Sequence, residues 1–412
     1  MKNIIQEIKE TNINNFRCDF MLTLFGDTSV NFVKKKEKVI IYGAGSAGID
    51  MFNVLKLHGV DTFCFVDQEK KKTGKVIGLD VISPEVLISK FKNFFVVIAV
   101  QKFKAEIFNL LKKEGLLRVG FIKNDLQFYY YLQFPRWKID LEIIERDKTL
   151  IKKGYRLLSD EKSKKIYVKR LSALTSYADF NLYTKAMSLS DYPSDLPDAK
   201  KIFASSFENQ MYFENDLIEL SDKCSLVDCG AYDGNSVTEF DNSMKMRGYE
   251  SGEVYCFEPD ASNFKLLKSN LCKNPKINLF NYGVYDKKEC LKFSSSDSMY
   301  PTEACIVENE EDKVIKISKS DATVEVDSID NLIYPNRVDI IKMDVEGAEL
   351  KALIGSSKTI LRWQPQLLIS AYHKSTDLYN LLLLINKLNP KYRIYLRHFS
   401  FSWSETVLIA KV

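Results

Sequence analysis

The sequence predicts an α/β protein in which two nucleotide-type sheets are joined by a helical connector. Three observations carry that prediction. Residues Ser225 to Gly234 read as a short buried strand running into a glycine-punctuated turn. A second strand and glycine turn, Lys38 to Gly48, lies near the start of the chain. Between them, residues 125–204 lose the strand pattern and carry apolar residues at helical spacing.

In the Ser225 stretch, Leu226 and Val227 suit a strand, Gly230 and Gly234 allow a tight turn and close backbone approach, and Asn235 or Ser236 can cap the following helix. Asp228 and Asp233 flank the turn where a pyrophosphate would otherwise lie, with Ala231 and Tyr232 between them. Like charges about 4 Å apart cost roughly 4 kcal/mol at an effective dielectric near 20, so phosphate fits poorly. A cationic ligand fits better, and S-adenosyl-L-methionine carries both an ammonium and a sulfonium. The next strand, Glu253 to Phe257, ends in Glu258, 24 residues past Gly234, where an acid meets ribose hydroxyls. Two glycines at a strand-to-helix turn can be purely structural; the placement of Glu258 is what favours a ligand.

At 412 residues the chain exceeds one ordinary core. Its expected parts are an N-terminal helical segment (1–36), a Rossmann-like nucleotide-binding domain (37–124), a helical connector (125–204) and a larger α/β domain (205–412). The 59 basic and 55 acidic residues are interspersed, leaving no basic field for nucleic acid. Lysine runs at 34–36, 70–72 and 164–165 read as solvated faces. The 8 cysteines form no CxxC pair or zinc spacing, so they read as reduced core residues. No apolar run approaches the roughly 18 residues of a membrane span, and the first residues lack a signal-peptide core. A cytoplasmic protein is expected, and self-association stays open.

In the smaller domain, Gly43, Gly45 and Gly48 complete a GxGxxG pattern, and the strand Thr62 to Val66 ends at Asp67, again 24 residues past the first glycine. This matches a dinucleotide fingerprint, with the acid aimed at a ribose. No carboxylate precedes Asp50, so the helix N-terminus is open to phosphate. NAD(P) or a nucleotide-sugar is the expected ligand, although the same glycines also serve a tight turn and close packing. The apolar run Phe94 to Val100 reads as a buried parallel strand, and His58 as a helix cap.

The connector shows helical spacing through Tyr129, Leu132, Ile139, Ile143, Leu150 and Leu157, and its loop spans Pro193 to Pro197. Tyr212 and Phe213 either cover the ligand or join the core. Beyond Glu258 come a helix over 262–271, a strand over 277–282, and a serine-rich loop over 294–303 that suits a lid. Further strands are expected at 324–326, 338–343 and 366–370, helices at 348–354 and 377–388, and a closing hairpin from strands at 393–396 and 406–410.

The segments Val227 to Gly234, Phe257-Glu258-Pro259, Lys342 to Glu349 and Tyr372-His373 resemble FkbM-type methyltransferases over roughly residues 205–412. The resemblance implies a class I, seven-stranded, Rossmann-like methyltransferase fold, with S-adenosyl-L-methionine as cofactor and O-methylation of a carbohydrate or glycan hydroxyl. It places the methionine part of the cofactor on Gly230 to Gly234, the ribose acid at Glu258, and Asn281, Tyr282 and Gly283 near the adenine. Asp344 falls near the reacting centre, and Arg397 or His398 in the substrate pocket. The N-terminal domain is similar instead to nucleotide-sugar-type Rossmann domains found beside enzymes of bacterial surface-glycan synthesis.

The function expected is therefore methyl transfer to a sugar hydroxyl, with a nucleotide-linked sugar docked on the smaller domain. The alternative makes that domain an NAD(P)-dependent oxidoreductase or binding module and the other half regulatory; residues 37–124 hold no Tyr-x-x-x-Lys pair, which favours binding over chemistry. A non-catalytic scaffold is the third reading. Of the 3 histidines, His373 stands at the carboxyl end of a predicted strand and is the expected general base, with Asp344 and Glu346 orienting it. A divalent cation gathered by Asp327, Asp344 and Glu346 is the less favoured arrangement.

Overall fold

The computed structural model describes residues 4–10, 38–57, 60–68, 74–100, 103–121, 141–175, 211–294, 305–306, 321–399 and 404–412. The chain divides into two compact units, one of Glu10–Lys138 with Ala173–Lys185, the other of Met1–Lys9, Ile139–Ser172 and Ala186–Val412. His58, the connector positions before 141, the Pro193 to Pro197 loop and the serine-rich segment after Ser294 lie outside the described residues.

The smaller unit is built on β1 (Val39–Tyr42), β2 (Thr62–Val66), β3 (Gly74–Val76), β4 (Leu79–Ile82), β5 (Phe95–Ile98) and β6 (Val119–Phe121). They form one sheet in the order β3-β4-β2-β1-β5-β6, parallel except where β3 meets β4. β1 and β5 are buried along their whole length, as strands covered on both faces must be, which is why they read as continuous apolar runs. The β3–β4 hairpin escaped the sequence reading. Its turn residues Ile77 and Gly78 both take left-handed φ (51° and 76°), and an isoleucine there gives no turn signal.

The larger unit begins with β7 (Cys224–Cys229), β8 (Ser251–Phe257) and β9 (Ile277–Phe280). A side sheet follows, of β10 (Gly283–Val284), β11 (Glu289–Ser294), β12 (Cys305–Ile306) and β13 (Asp321–Asp327). The main sheet resumes with β14 (Ile340–Met343), β15 (Gln366–Ser370), β16 (Arg393–His398) and β17 (Thr406–Lys411). Its order is β16-β17-β15-β14-β7-β8-β9, with β17 antiparallel to both neighbours and the other pairings parallel. The hairpin is thus as expected in its pairing, but β17 is inserted between β15 and β16. This is the seven-stranded α/β sheet that the family resemblance implies.

Three helices of the expected connector, Leu141–Arg146, Lys148–Leu157 and Glu161–Thr175, fall largely in this larger unit. Gly154 brings the second of them close to Tyr167 and Tyr379, where a Cβ would lie 2.9 Å from the Tyr167 hydroxyl. The following residues run along the outer edge of β16: Ser159 N donates to Ile394 O at 2.8 Å, and Leu396 N donates to Ser163 Oγ at 2.8 Å. The unpaired edge of the sheet is therefore covered.

Candidate functional site

Strand order reverses at β7, whose neighbours are β14 and β8, and ligands of open α/β sheets bind outside the carboxyl ends at such a point. The turns leaving β7 and β14 pack directly on each other. A Cβ on Gly230 would lie 1.9 Å from Asp344 O, and Gly230 is also left-handed (φ 79°), so only glycine fits. Gly230 N and Ala231 N donate to Phe257 O at 3.0 and 2.9 Å. Tyr232 holds a left-handed φ of 50°, which turns its amide onto Glu258 Oε2 at 3.0 Å. Asp260 N donates to Oε1 at 2.9 Å, so each oxygen of the buried Glu258 takes one backbone amide, and the Asn263 side chain also bonds to the carboxylate. Burial raises the Glu258 pKa, and these amides work against the rise. The helix Asn235–Met246 is capped by Gly234 rather than by Asn235 or Ser236, and Asp233 Oδ1 accepts from Asn235 N.

A cavity of about 980 Å³ opens over these turns, lined by Gly230 to Asp233, Glu258, Gly283, Val284, Lys342, Asp344, Val345, Glu346 and Tyr372, with Tyr212 and Glu405 beside them. Tyr282 is not among the lining residues, and Asn281 instead donates to Glu258 O at 2.8 Å. Phe213 is core, whereas Tyr212 is both buried and part of the wall.

Asp228 does not face the turn. Its side chain is fully buried and accepts from Lys342 Nζ at 2.8 Å, and the same ammonium reaches Gly230 O at 3.1 Å. Burial raises the Asp228 carboxyl and works against the charged lysine, but Asp228 and Asp344 outweigh it and lift Lys342 above its usual value. The contact holds the β7 turn to β14. The cavity wall instead carries other carboxylates, Glu214, Asp233, Glu239, Glu258, Asp344, Glu346 and Glu405, beside the side chains of Lys245 and Lys342. Lys342 was legible as a charged residue inside an apolar strand, which is rarely buried unpaired.

His373 is not placed as a general base. Its ring is 5% exposed, it is not among the cavity-lining residues, and Nδ1 lies 2.8 Å from Glu349 Oε1. Asp344 Oδ1 and Glu346 Oε2 stand 3.4 and 3.6 Å from Nε2. Burial lowers the imidazole pKa, yet Glu349, Glu346 and Asp344 outweigh it and raise it to about 10. A ring so protonated has no lone pair with which to take a hydroxyl proton. Asp344 is further held by the Tyr372 hydroxyl, which donates to Oδ1 at 3.0 Å. Glu349 has no role in the expected site, although its spacing of four from Val345 lets its carboxylate accept from Val345 N at 3.0 Å within the turn. Glu346 (φ 53°) and Gly347 (φ 99°) shape that turn.

The other expected site residues lie elsewhere. Arg397 turns away from the cavity onto Asp160 and Ser163. His398 Nδ1 lies 2.9 Å from Thr406 Oγ1 across the hairpin. Asp327 Oδ1 accepts from Ser328 N and Asn331 Nδ2, at the start of the Ile329–Leu332 helix, and is not grouped with Asp344. In the smaller unit, Asp67 Oδ2 accepts from Ala44 N at 3.0 Å. A Cβ on Gly43 would lie 2.5 Å from Ala99 O, and one on Gly48 would lie 1.9 Å from Gly43 O, so packing alone requires two of the three fingerprint glycines.

With this geometry in hand, residues 228–395 match the family model of the methyltransferase FkbM domain. The C-terminal half is an FkbM methyltransferase domain. Residues 35–118 match a different family, C2185-like, N-terminal. The crystal structure of methyltransferase FkbM from Methylobacillus flagellatus KT is 19% identical, with a TM-score of 0.60, over 99% of this chain and 98% of that one. That likeness shows that the two share a fold. Aeropyrum pernix fibrillarin, in complex with natively bound S-adenosyl-L-methionine, is 9% identical with a TM-score of 0.32 over 50% of this chain and 74% of that one. No curated protein matches the chain. No described helix is long and apolar enough to cross a membrane.

Proposed function

We propose that the FkbM domain binds S-adenosyl-L-methionine in the 980 Å³ cavity and transfers its methyl group to a hydroxyl of a carbohydrate or glycan. The observation that carries this reading is Glu258 at the end of β8, held under the β7 turn by two backbone amides and lining the cavity, where its carboxylate can meet a ribose diol. The cofactor's methionine end lies along Gly230 to Gly234, and the acidic wall suits its two positive charges. The acceptor hydroxyl enters on the side of Asp344, Glu346 and Tyr372, where a carboxylate takes its proton as the oxygen attacks the methyl carbon in line and the sulfur–methyl bond breaks, leaving S-adenosyl-L-homocysteine. Much of the rate then comes from holding nucleophile and methyl in line. Equilibrium calorimetry with the cofactor, followed by transfer of labelled methyl to a panel of sugars and nucleotide-sugars, tests the proposal. Binding without transfer to any hydroxyl acceptor would reject the O-methylation.

In the smaller unit we propose a docking site for a nucleotide or nucleotide-linked sugar at Gly43 to Gly48, supported by the GxGxxG loop between β1 and the Ser46–Leu57 helix. Asp67 serves as the acid beside it.

A further inference from the structure

The wall of the cavity at Asp344 and Glu346 is backed by two buried side chains, His373 and Glu349, that methyl transfer as described does not use. Asp344, Glu349 and His373 each offer a ligand atom within 4.8 Å of the others. His373 Nε2 is buried without a hydrogen-bond partner, and so is Glu349 Oε2. The two carboxylate oxygens nearest Nε2, at 3.4 and 3.6 Å, are too far to accept from it, but the spacing suits atoms that share a cation. On its other side the ring meets Glu349 Oε1 at 2.8 Å, the carboxylate–imidazole contact that fixes the tautomer of a metal-binding histidine. Glu349 also accepts from Val345 N and Gly347 N, so one side chain orients both the ring and the turn that carries Glu346.

We propose that His373 Nε2, Asp344 and Glu346 bind one divalent transition-metal cation at the cavity wall, the cation displacing the Nε2 proton to solvent as it binds, with Glu349 positioning the imidazole. One nitrogen and two carboxylates suit Mn²⁺ or Zn²⁺ better than the all-oxygen sets of Mg²⁺ and Ca²⁺. Asp344 and Glu346 line the cavity while His373 lies behind them, so the ion is reached from the cavity. A substrate oxygen arriving there would meet a Lewis acid. The proposal does not rest on the methyl-transfer reading.

The test uses the full chain stripped with a chelator. Mn²⁺ titration followed by electron paramagnetic resonance should find one site per chain, and Zn²⁺ should raise the melting temperature. Asp344→Asn and Glu346→Gln should each weaken Mn²⁺ binding at least tenfold, and Glu349→Gln by about 10- to 100-fold as a positioning residue. Glu346 lies on the cavity wall, so its variant should fold, which its unchanged metal-free melting temperature would verify. Failure of the stripped protein to take up either ion at millimolar concentration overturns the proposal, as does equal affinity in wild type, Asp344→Asn and Glu346→Gln. Cofactor binding, measured by calorimetry on the metal-free protein, separates that outcome from failure of the methyltransferase reading.

Discussion

Arg397, on the edge strand β16, grips Asp160 at the start of the Glu161–Thr175 helix, with Nη2 2.8 Å from Oδ2. Its Nη1 also donates to Ser163 Oγ and Leu396 O, so the guanidinium spans a helix start and the edge of the sheet. Its role is to bind helix to sheet.

Arg397→Ala should therefore cost about 2–3 kcal/mol by urea unfolding, less than the 3–5 kcal/mol of a fully buried pair because Asp160 keeps 31% of its side chain exposed. Cofactor affinity should hold. Burial raises the Asp160 carboxyl, but Arg397 and Ser163 outweigh it and lower the pKa to about 2. Its folded value thus lies below the unfolded value near 3.9. The contribution is fully present above about pH 4 and is lost as pH falls through about 2. The stability gap between wild type and Asp160→Asn should narrow over that window; a constant gap would show that the ion pair adds nothing.

Much of the architecture was legible because both sheets are made of short apolar runs ended by glycines or acids. The turn at Gly230 and the acid at Glu258 were legible for the same reason: each sits at a strand end. What the sequence did not reveal was direction. Asp228 points down into the sheet because β7 pairs with β14 in a register that sets it beside Lys342. His373 looked like the base because only its position along the chain was visible, while the carboxylates of Asp344, Glu346 and Glu349 come to its ring through the fold. Glu405 joins the cavity because β17 is inserted beside β15, a topology that no local pattern encodes. The helices of 141–175 gave their period but not their partner, since Tyr379, which donates to Asp147 Oδ2 at 2.6 Å, lies 232 residues away.

Lys342→Met should destabilise the larger unit by about 3–5 kcal/mol, because it strands the fully buried Asp228 without a counter-charge. Adding Asp228→Leu should recover most of that loss. Chemical denaturation of both variants measures the difference. If the double variant is no more stable than the single one, the lysine's bond to Gly230 O, and not the ion pair, is what counts.

For the smaller unit, a ligand present at a hundred times its dissociation constant would stabilise the bound form by about 2.7 kcal/mol. A nucleotide, NAD(P) or a nucleotide-sugar at millimolar concentration should accordingly raise the melting temperature of wild type. Gly45→Val should abolish the shift by blocking backbone approach, whereas Gly43 and Gly48 cannot serve as controls since packing requires both. No shift with any of these compounds would leave the glycine loop with a structural role alone.

Glu258→Ala is the variant that most directly tests the cofactor site. In the folded chain the carboxylate holds Tyr232 N and Asp260 N at 3.0 and 2.9 Å, and in the bound state it would add the two ribose hydroxyls. Removing it strands polar partners on both sides, each at a cost of about 1–3 kcal/mol. Binding of S-adenosyl-L-methionine should weaken by at least about 1–3 kcal/mol, roughly 5- to 150-fold in dissociation constant. Stability should fall as well, because Tyr232 loses the acceptor that holds its left-handed backbone. Glu258→Gln separates the two effects: its amide oxygen can still accept one backbone N–H, but a neutral side chain accepts more weakly from the ribose. Calorimetry on both variants, with the fold checked by the melting transition, should therefore rank affinity as wild type, then Gln, then Ala. Unchanged affinity in Glu258→Ala would move the ribose away from β8 and with it the whole orientation of the cofactor in the cavity.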